Sequence, residues 1–227
     1  MFIVYLLFAV IFGIALYFGF KEYKKYIIKK RLNFIENYTF PKRVKEAVLK
    51  KYPHLSSDDA SLVIKALKDY FKIAVVANGK MVAMPSQVVD VAWHEFLLFT
   101  KEYQDFSYNA FGKFFHHNPF SKDTKEHQKI ESLNRAYSLA CRLEKINPKY
   151  SSRMPLLFEI DSKLNIKDGF SYKAKEFKVF SANSSSGISC GGCSGYAPML
   201  VSHSSDSSSD GGGGGCSGGC GGGCGGG

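Results

Sequence analysis

The amino-acid sequence predicts an all-α protein: a single N-terminal transmembrane helix, a globular bundle of about five helices, and a disordered tail rich in Gly, Ser and Cys. Residues 2–20 carry no charge, the middle of the chain repeats apolar residues at helical spacing, and seventeen of the 22 glycines lie in residues 183–227. We therefore divide the chain into a transmembrane helix at 2–20, a basic juxtamembrane segment at 21–40, a helical domain at 41–182 and a tail at 183–227.

Residues 2–20 have the length of a membrane-spanning helix, since 19 residues rising 1.5 Å each cover about 28 Å. A cleaved signal peptide is disfavoured, because no Lys or Arg precedes the segment and no small-residue cleavage site follows it. A core helix of this length is rarely apolar on every side. Six basic residues and one acid in Lys21–Arg31 predict an N-terminus outside the cell and a cytoplasmic domain. The sequence thus predicts a single-pass protein of the cell (inner) membrane, with the lipid bilayer as a partner.

The net charge of +10 prompts a nucleic-acid hypothesis, which the distribution of charge weakens. Half of the excess lies in Lys21–Arg31, where a membrane boundary explains it. The tail contains no arginine and therefore none of the Arg-Gly repeats that bind single strands. The sequence argues against nucleic acid as a partner.

Caps and helix breakers divide the domain into five predicted helices. The third of them carries an apolar stripe from Val89 to Phe106 and is expected to be central. One short strand is predicted at residues 175–183. The helices are expected from Pro41 to Lys51, from an N-cap at Ser57 to Gly79, from an N-cap at Ser86 to Gly112, from an N-cap at Ser121 to Ile146, and from Pro155 to Asp168.

A sequence motif occupies Met84–Phe120. It runs Val-Asp, two residues, Trp-His, then Leu-x-x-Thr-x-x-Tyr, then Phe-Gly and a His-His pair. It resembles the signature of the bacterial glycine-rich domain-containing proteins, a poorly characterised family, to which residues 153–172 and the Gly/Cys tail are also similar. Plant members carry a second histidine where this chain has Phe96. The resemblance implies a family and a fold but no established activity. The matching residues are Asp90, Trp93, His94, Leu97, Thr100, Tyr103, Phe111, Gly112, His116 and His117.

Asp90 and His94 are four residues apart and so share one face of a helix. His116 and His117 follow Gly112, where the chain can fold back toward that face. Asp90, His94 and one histidine of the pair would make a three-ligand zinc or iron site with an open position. Alternatively, Asp90 orients His94 as an acid–base pair, or the side chains only make structural hydrogen bonds and Asp90 favours the helix dipole.

No nucleophile or phosphate-binding motif is present, so catalytic residues stay unassigned. Cys141 lies among apolar residues of a helix and is expected to be a free, buried thiol. His54 and His127 have polar neighbours and are expected to be solvated. Glu95 is expected to project away from the Asp90 and His94 face.

The tail holds two cysteine groups that are candidates for soft-metal binding. Cys190 and Cys193 form a C-x₂-C pair, while Cys216, Cys220 and Cys224 are spaced four apart. Disorder is nevertheless expected, because glycine loses the most conformational entropy on ordering.

Two functions follow from the sequence. The first is a membrane-anchored interaction or scaffold module whose tail recruits a protein partner. The second is a metal-dependent enzyme or metal-binding domain that uses Asp90, His94 and His116 or His117.

Overall fold

The computed structural model describes residues 2–118, 120, 124–147 and 153–177. Every regular element in these ranges is helical and none is a strand, which confirms the all-α prediction for this part of the chain. The tail with its five cysteines, and Ser121, lie outside the described residues. The helices are α1 (Phe2–Asn37), α2 (Lys42–Lys51), α3 (Ser57–Val76), α4 (Gln87–Leu97), α5 (Thr100–Phe111), α6 (Glu126–Leu143), α7 (Leu156–Lys163) and α8 (Ala174–Phe177).

Helix α1 is one continuous helix of 36 residues that covers the predicted transmembrane segment and most of the juxtamembrane segment. Its described apolar side chains between Tyr5 and Tyr26 are exposed, whereas Ile35 is fully buried and Ile28 and Leu32 pack against the core. Over the described residues, which leave out several side chains of the first helical turns, no helix combines the length and apolarity of a membrane-crossing segment.

Helices α2 and α3 begin close to the predicted residues, the first after a proline and the second at a capping serine. Pro41 precedes α2, as expected. Ser56, and not Ser57, caps α3: its hydroxyl accepts from the Asp59 backbone N–H, and the Asp59 carboxylate accepts from the Ser56 backbone N–H. This reciprocal pair satisfies two otherwise unpaired donors, which explains why the helix begins one residue earlier than predicted.

The single helix predicted from Ser86 to Gly112 is two helices. Ser86 caps α4 as predicted, accepting from the Val89 backbone N–H. At the other end the Leu98 and Phe99 N–H groups bond to carbonyls three residues back, and Phe99 takes a ψ of 64°. These tighter bonds end α4, and α5 then begins at Thr100.

Helices α6 and α7 end earlier than predicted, through turns that contain no glycine. Lys145 and Asn165 adopt left-handed φ values of 55° and 51°. The next residues, Ile146 and Ile166, are buried, and their N–H groups bond to carbonyls five residues back. This is the Schellman arrangement, and burial of the isoleucine offsets the strain of a non-glycine residue.

The segment predicted as a strand at residues 175–183 is helical where it is described, because α8 runs to Phe177. Phe177 is buried and its ring stacks on Tyr137 at 4.3 Å, so it packs as a core residue. The remaining residues of that prediction lie outside the described ranges.

Helix α3 is the centre of the bundle, in place of the predicted α4. It packs against α1, α2, α4, α6 and α7. Phe71 of α3 is fully buried between Trp93 of α4 and Phe106 of α5, with ring centroids 5.7 and 4.9 Å away. Each such buried ring contributes roughly 1.5–3 kcal/mol. This aromatic cluster fixes α4 and α5 relative to each other at the base of the candidate site.

Candidate functional site

The beginning of α4 is held by a carboxylate from α7. Asp161 is 2% exposed and accepts from the Ser86 hydroxyl at 2.7 Å, and from the backbone N–H groups of Gln87 at 2.7 Å and Val88 at 3.2 Å. It also accepts from the Phe170 backbone N–H at 2.9 Å. A negative charge at a helix N-terminus is favourable, and here it also supplies acceptors to N–H groups that have no partner within the helix.

Sequence reasoning missed Asp161, which lies 75 residues from Ser86. The available signal was two acids, Glu159 and Asp161, within the otherwise apolar start of α7, LLFEID. That signal indicates a buried carboxylate but does not indicate its partners.

Asp90 and His94 lie one turn apart on α4, as predicted. The His94 Nδ1 atom is 2.8 Å from the Asp90 backbone oxygen and 3.2 Å from its Oδ2 atom. Glu95 points elsewhere, as expected, and pairs with Arg43 of α2 at 2.9 Å. The helix therefore presents one carboxylate and one imidazole together on its outer face.

The chain after α5 returns to α4 because Trp93 and Tyr103 hold it there. The Tyr103 hydroxyl donates to the Phe115 carbonyl and accepts from Trp93 Nε1 at 3.3 Å. The Trp93 ring stacks on Phe115, with centroids 5.5 Å apart, and meets the His117 ring edge at 4.2 Å. Burial raises the pKa of Tyr103 to about 12, so its hydroxyl stays a donor at neutral pH.

His117, and not His116, joins Asp90 and His94. Its Nε2 atom is 3.1 Å from Asp90 Oδ1, and its ring centroid is 4.4 Å from that of His94. One potential ligand atom from each of the three residues lies within 4.8 Å of the others. His116 is exposed and packs against Phe114 at 4.8 Å. Adjacent residues of an extended segment point in opposite directions, so one histidine of the pair reaches the site.

The cluster approaches the dimensions of a site for one metal ion. Ligands bound at about 2.0–2.2 Å in a tetrahedral arrangement lie roughly 3.3–3.6 Å apart. His94 and His117 lie 3.2 and 3.1 Å from the Asp90 carboxylate, but from its two different oxygens, and a set with one ligand atom from each residue spreads over up to 4.8 Å. The side chains of Asp90 and His117 are 26% and 13% exposed, whereas that of His94 is 55% exposed. The cluster therefore has one sheltered side and one open side.

The sheltered side faces a cavity of about 740 Å³. Asp90, Trp93 and His117 form part of its wall, together with apolar residues from the end of α3 and the segment that follows it. A volume of this size accommodates a small organic molecule.

His116 also lines this cavity, whereas His54, His127 and Cys141 lie away from it. His54 is exposed, as predicted, and its Nε2 atom also lies 3.0 Å from the Leu164 carbonyl oxygen, near the ends of α2 and α7. His127 is exposed. Cys141 is free and buried, as expected, and burial raises the pKa of its thiol, which disfavours the reactive thiolate.

Residues 30–193 match the model of the UCP032817-like family, which is well over half of the chain. No curated protein and no solved structure matches the chain. The matched range covers the helical domain and the whole Asp90, His94 and His117 cluster. The chain belongs to the UCP032817-like family.

Proposed function

We propose that this domain binds one divalent metal ion, zinc or iron, through Asp90, His94 and His117. The observation that carries the proposal is the convergence of these three side chains, from a helix and a distant loop, to within 4.8 Å. Two imidazoles and one carboxylate form a ligand set used by both metals, and three protein ligands leave positions open for water or substrate. Such an ion would activate a bound water or polarise a ligand in the adjoining cavity.

The same geometry has a second interpretation without metal. Asp90 uses Oδ1 toward His117 and Oδ2 toward His94, so the carboxylate can join α4 to the returning loop by hydrogen bonds alone. The two interpretations differ in metal content and in what a histidine substitution removes.

The test is metal content of the full-length protein, in a variant whose tail cysteines are replaced by serine so that they cannot bind metal. We expect about one zinc or iron per chain, and loss of that metal in His117→Ala. His116→Ala is the matched control, because it removes the neighbouring imidazole that lies outside the cluster. The loss should exceed the roughly 10–100-fold drop in affinity typical of losing an outer hydrogen-bond partner. The serine replacements are at Cys190, Cys193, Cys216, Cys220 and Cys224.

A protein that stays metal-free when supplied with zinc or iron would refute the proposal. Equal metal retention in His117→Ala and His116→Ala would refute it as well. A lower unfolding midpoint in His117→Ala, without any metal in the parent protein, would favour the hydrogen-bonded interpretation.

We also propose that residues 2–20 attach the domain to the cell membrane, with the domain on the cytoplasmic side. The support is the uncharged sequence, the basic residues directly after it, and the exposure of large apolar side chains such as Tyr5 (68%) and Phe12 (65%). Water-exposed apolar side chains in a continuous run are costly, and a bilayer removes that cost.

Fractionation of cells that express the full chain tests this attachment. We expect the protein in the membrane fraction after alkaline washing, and release when Phe12 and Leu16 are both changed to lysine. The control changes Tyr23 and Tyr26, which lie beyond the segment, to lysine. Labelling of the tail cysteines by a membrane-impermeant thiol reagent in intact cells would contradict the cytoplasmic orientation.

The tail remains a proposed arm for a protein partner or a soft metal, and the chain a proposed scaffold or interaction module of the glycine-rich domain-containing type. The supporting features are its C-x₂-C pair and its three regularly spaced cysteines. Removing residues 183–227 and comparing the proteins co-purified from cells tests this role, and an unchanged set would contradict it.

A further inference from the structure

We propose that the cavity beside Asp90 binds a small organic anion, namely a phosphate or carboxylate group carried on an aromatic body. The cations and the aromatic wall of the cavity carry this inference. An ion at the proposed metal site would add to the attraction, and only that contribution rests on the proposed function.

Three cationic side chains from separate parts of the fold converge on the cavity. Arg31 comes from α1, Lys80 from the turn after α3, and Lys113 from the segment after α5. Among the described residues that line the cavity, Asp90 is the only acid. None of the three cations forms an ion pair within the described ranges, so their charge is available to a ligand. A concave surface with an excess of one charge concentrates ligands of the opposite charge.

The guanidinium group of Arg31 lies directly over a glycine. Gly112 ends α5 with a φ of +75°, and a Cβ atom there would lie 2.4 Å from Arg31 Nη2. The guanidinium group therefore occupies the space that any side chain at this position would fill. Arginine binds phosphate and carboxylate groups through paired N–H donors.

Parallel aromatic rings form one wall of the same cavity. Phe111 stacks on Phe115 at 4.2 Å, and Phe115 stacks on Trp93 at 5.5 Å, each pair with an interplanar angle of 14°. Tyr70 packs against Trp93 at 5.1 Å. Such a wall offers the edges of its stacked rings to an aromatic ligand body in edge-to-face contact, while the cations bind its charged group.

Trp93 provides the assay, because it is the single tryptophan of the chain and lines the cavity. Full-length protein is titrated with phenyl phosphate, benzoate, inorganic phosphate and phenol while Trp93 fluorescence is followed. We expect saturable binding of phenyl phosphate or benzoate, and at least roughly tenfold weaker binding of phenol and of inorganic phosphate. The stronger of the two aromatic anions identifies the preferred charged group.

Arg31→Gln and Lys113→Gln are expected to weaken aromatic-anion binding by roughly tenfold each, because each removes a charged partner of the ligand. Lys30→Gln is the matched control: it makes the same charge change one residue away on α1, outside the cavity lining. Lys113 is exposed, so its substitution tests the idea even if replacing Arg31 disturbs the packing over Gly112.

Titrations of metal-free and metal-supplied protein separate this inference from the metal proposal. Binding in metal-free protein that depends on Arg31 and Lys113 supports the anion site whatever the metal content is. Equal affinity for phenol and phenyl phosphate, or equal affinity in Arg31→Gln, Lys113→Gln and Lys30→Gln, would overturn it. Inorganic phosphate that binds as tightly as phenyl phosphate would overturn the role of the aromatic wall.

Discussion

At the residue scale, Gly112 leaves room for a charged group because it has no side chain of its own. Two demands meet there: a left-handed φ that ends α5, and room for the guanidinium group of Arg31. Gly79 has a similar φ of +83°, but a methyl group added there would meet no atom within 4 Å. Comparing substitutions at the two glycines therefore separates the free-energy cost of backbone strain from the cost of displacing Arg31.

Gly112→Ala is expected to destabilise the protein by about 1–2 kcal/mol, somewhat more than Gly79→Ala at about 1 kcal/mol. Both substitutions place a side chain at positive φ, but only the first also displaces a neighbouring group. Urea denaturation of the two variants measures the difference. Equal losses would show that Arg31 moves aside without cost.

The choice of histidine could not be made from the sequence. The i, i+4 spacing of Asp90 and His94 gives their common face, because a helix fixes it. His116 and His117 lie in a loop, and the contacts of Phe115 with Trp93 and Tyr103 decide which of them reaches Asp90. Such contacts depend on tertiary packing and leave no local pattern.

At the scale of elements, the N-terminus of α4 depends on α7. Asp161 accepts from Ser86, Gln87 and Val88, so the helix that carries Asp90 and His94 is capped by another element as well as by its own serine. This arrangement links the integrity of the candidate site to a residue outside it.

Asp161→Asn is expected to lower the free energy of unfolding by about 2–4 kcal/mol, because an amide presents one donor to groups that all donate. Metal content at a fixed free-metal concentration should fall as well, if α4 positions Asp90. Asp168→Asn is the control: this exposed carboxylate bonds to the Tyr52 hydroxyl at 3.1 Å, and its loss should cost less than about 1 kcal/mol. A similar effect of both substitutions in thermal or urea unfolding would contradict this role of Asp161.

Helix ends were predictable where local chemistry sets them. Ser86 and Pro155 precede α4 and α7 as their residue types indicate. The ends of α6 and α7 at Lys145 and Asn165 were not predictable, because the usual sequence signal for a helix end in the left-handed conformation is glycine. There the buried isoleucine that follows determines the end, which is a property of the core.

For the whole molecule, one ion-pair network joins α1 to the centre of the bundle. Lys72 of α3 pairs with Glu36 of α1 and, at 3.1 Å, with Asp69. The hydrogen bond from Lys72 lowers the pKa of Glu36 below its ordinary 4.5, while burial raises the pKa of Asp69. A lowered carboxylate pKa stabilises the folded state above the ordinary value, and that contribution is lost as pH falls through the lowered value.

Glu36→Gln is therefore expected to cost stability at pH 7, by less than about 1 kcal/mol because Glu36 is largely exposed. The difference from the parent protein should shrink as the pH falls below about 4.5. Urea denaturation at several pH values measures it. Glu46→Gln, an exposed glutamate of α2, should show no such pH-dependent difference.

The helical class and the order of the helices followed from periodicity and breakers, which are local properties. The central position of α3 could not be predicted in this way, because it depends on which apolar faces of different helices pack together. Leu62, Leu67 and Phe71 marked α3 as amphipathic, but the neighbours of that face come from five different helices. Long-range packing of this kind cannot be obtained from spacing alone.

The bond between Asp161 and the start of α4 sets an order of events during synthesis. The ribosome completes α4 many residues before it reaches the carboxylate that caps it, since Ser86 and Asp161 are 75 residues apart. Until α7 has emerged and docked, the first N–H groups of α4 have only Ser86 and water as acceptors. The helix that bears Asp90 and His94 therefore gains the full set of acceptors at its N-terminus only after α7 has been synthesised and has docked.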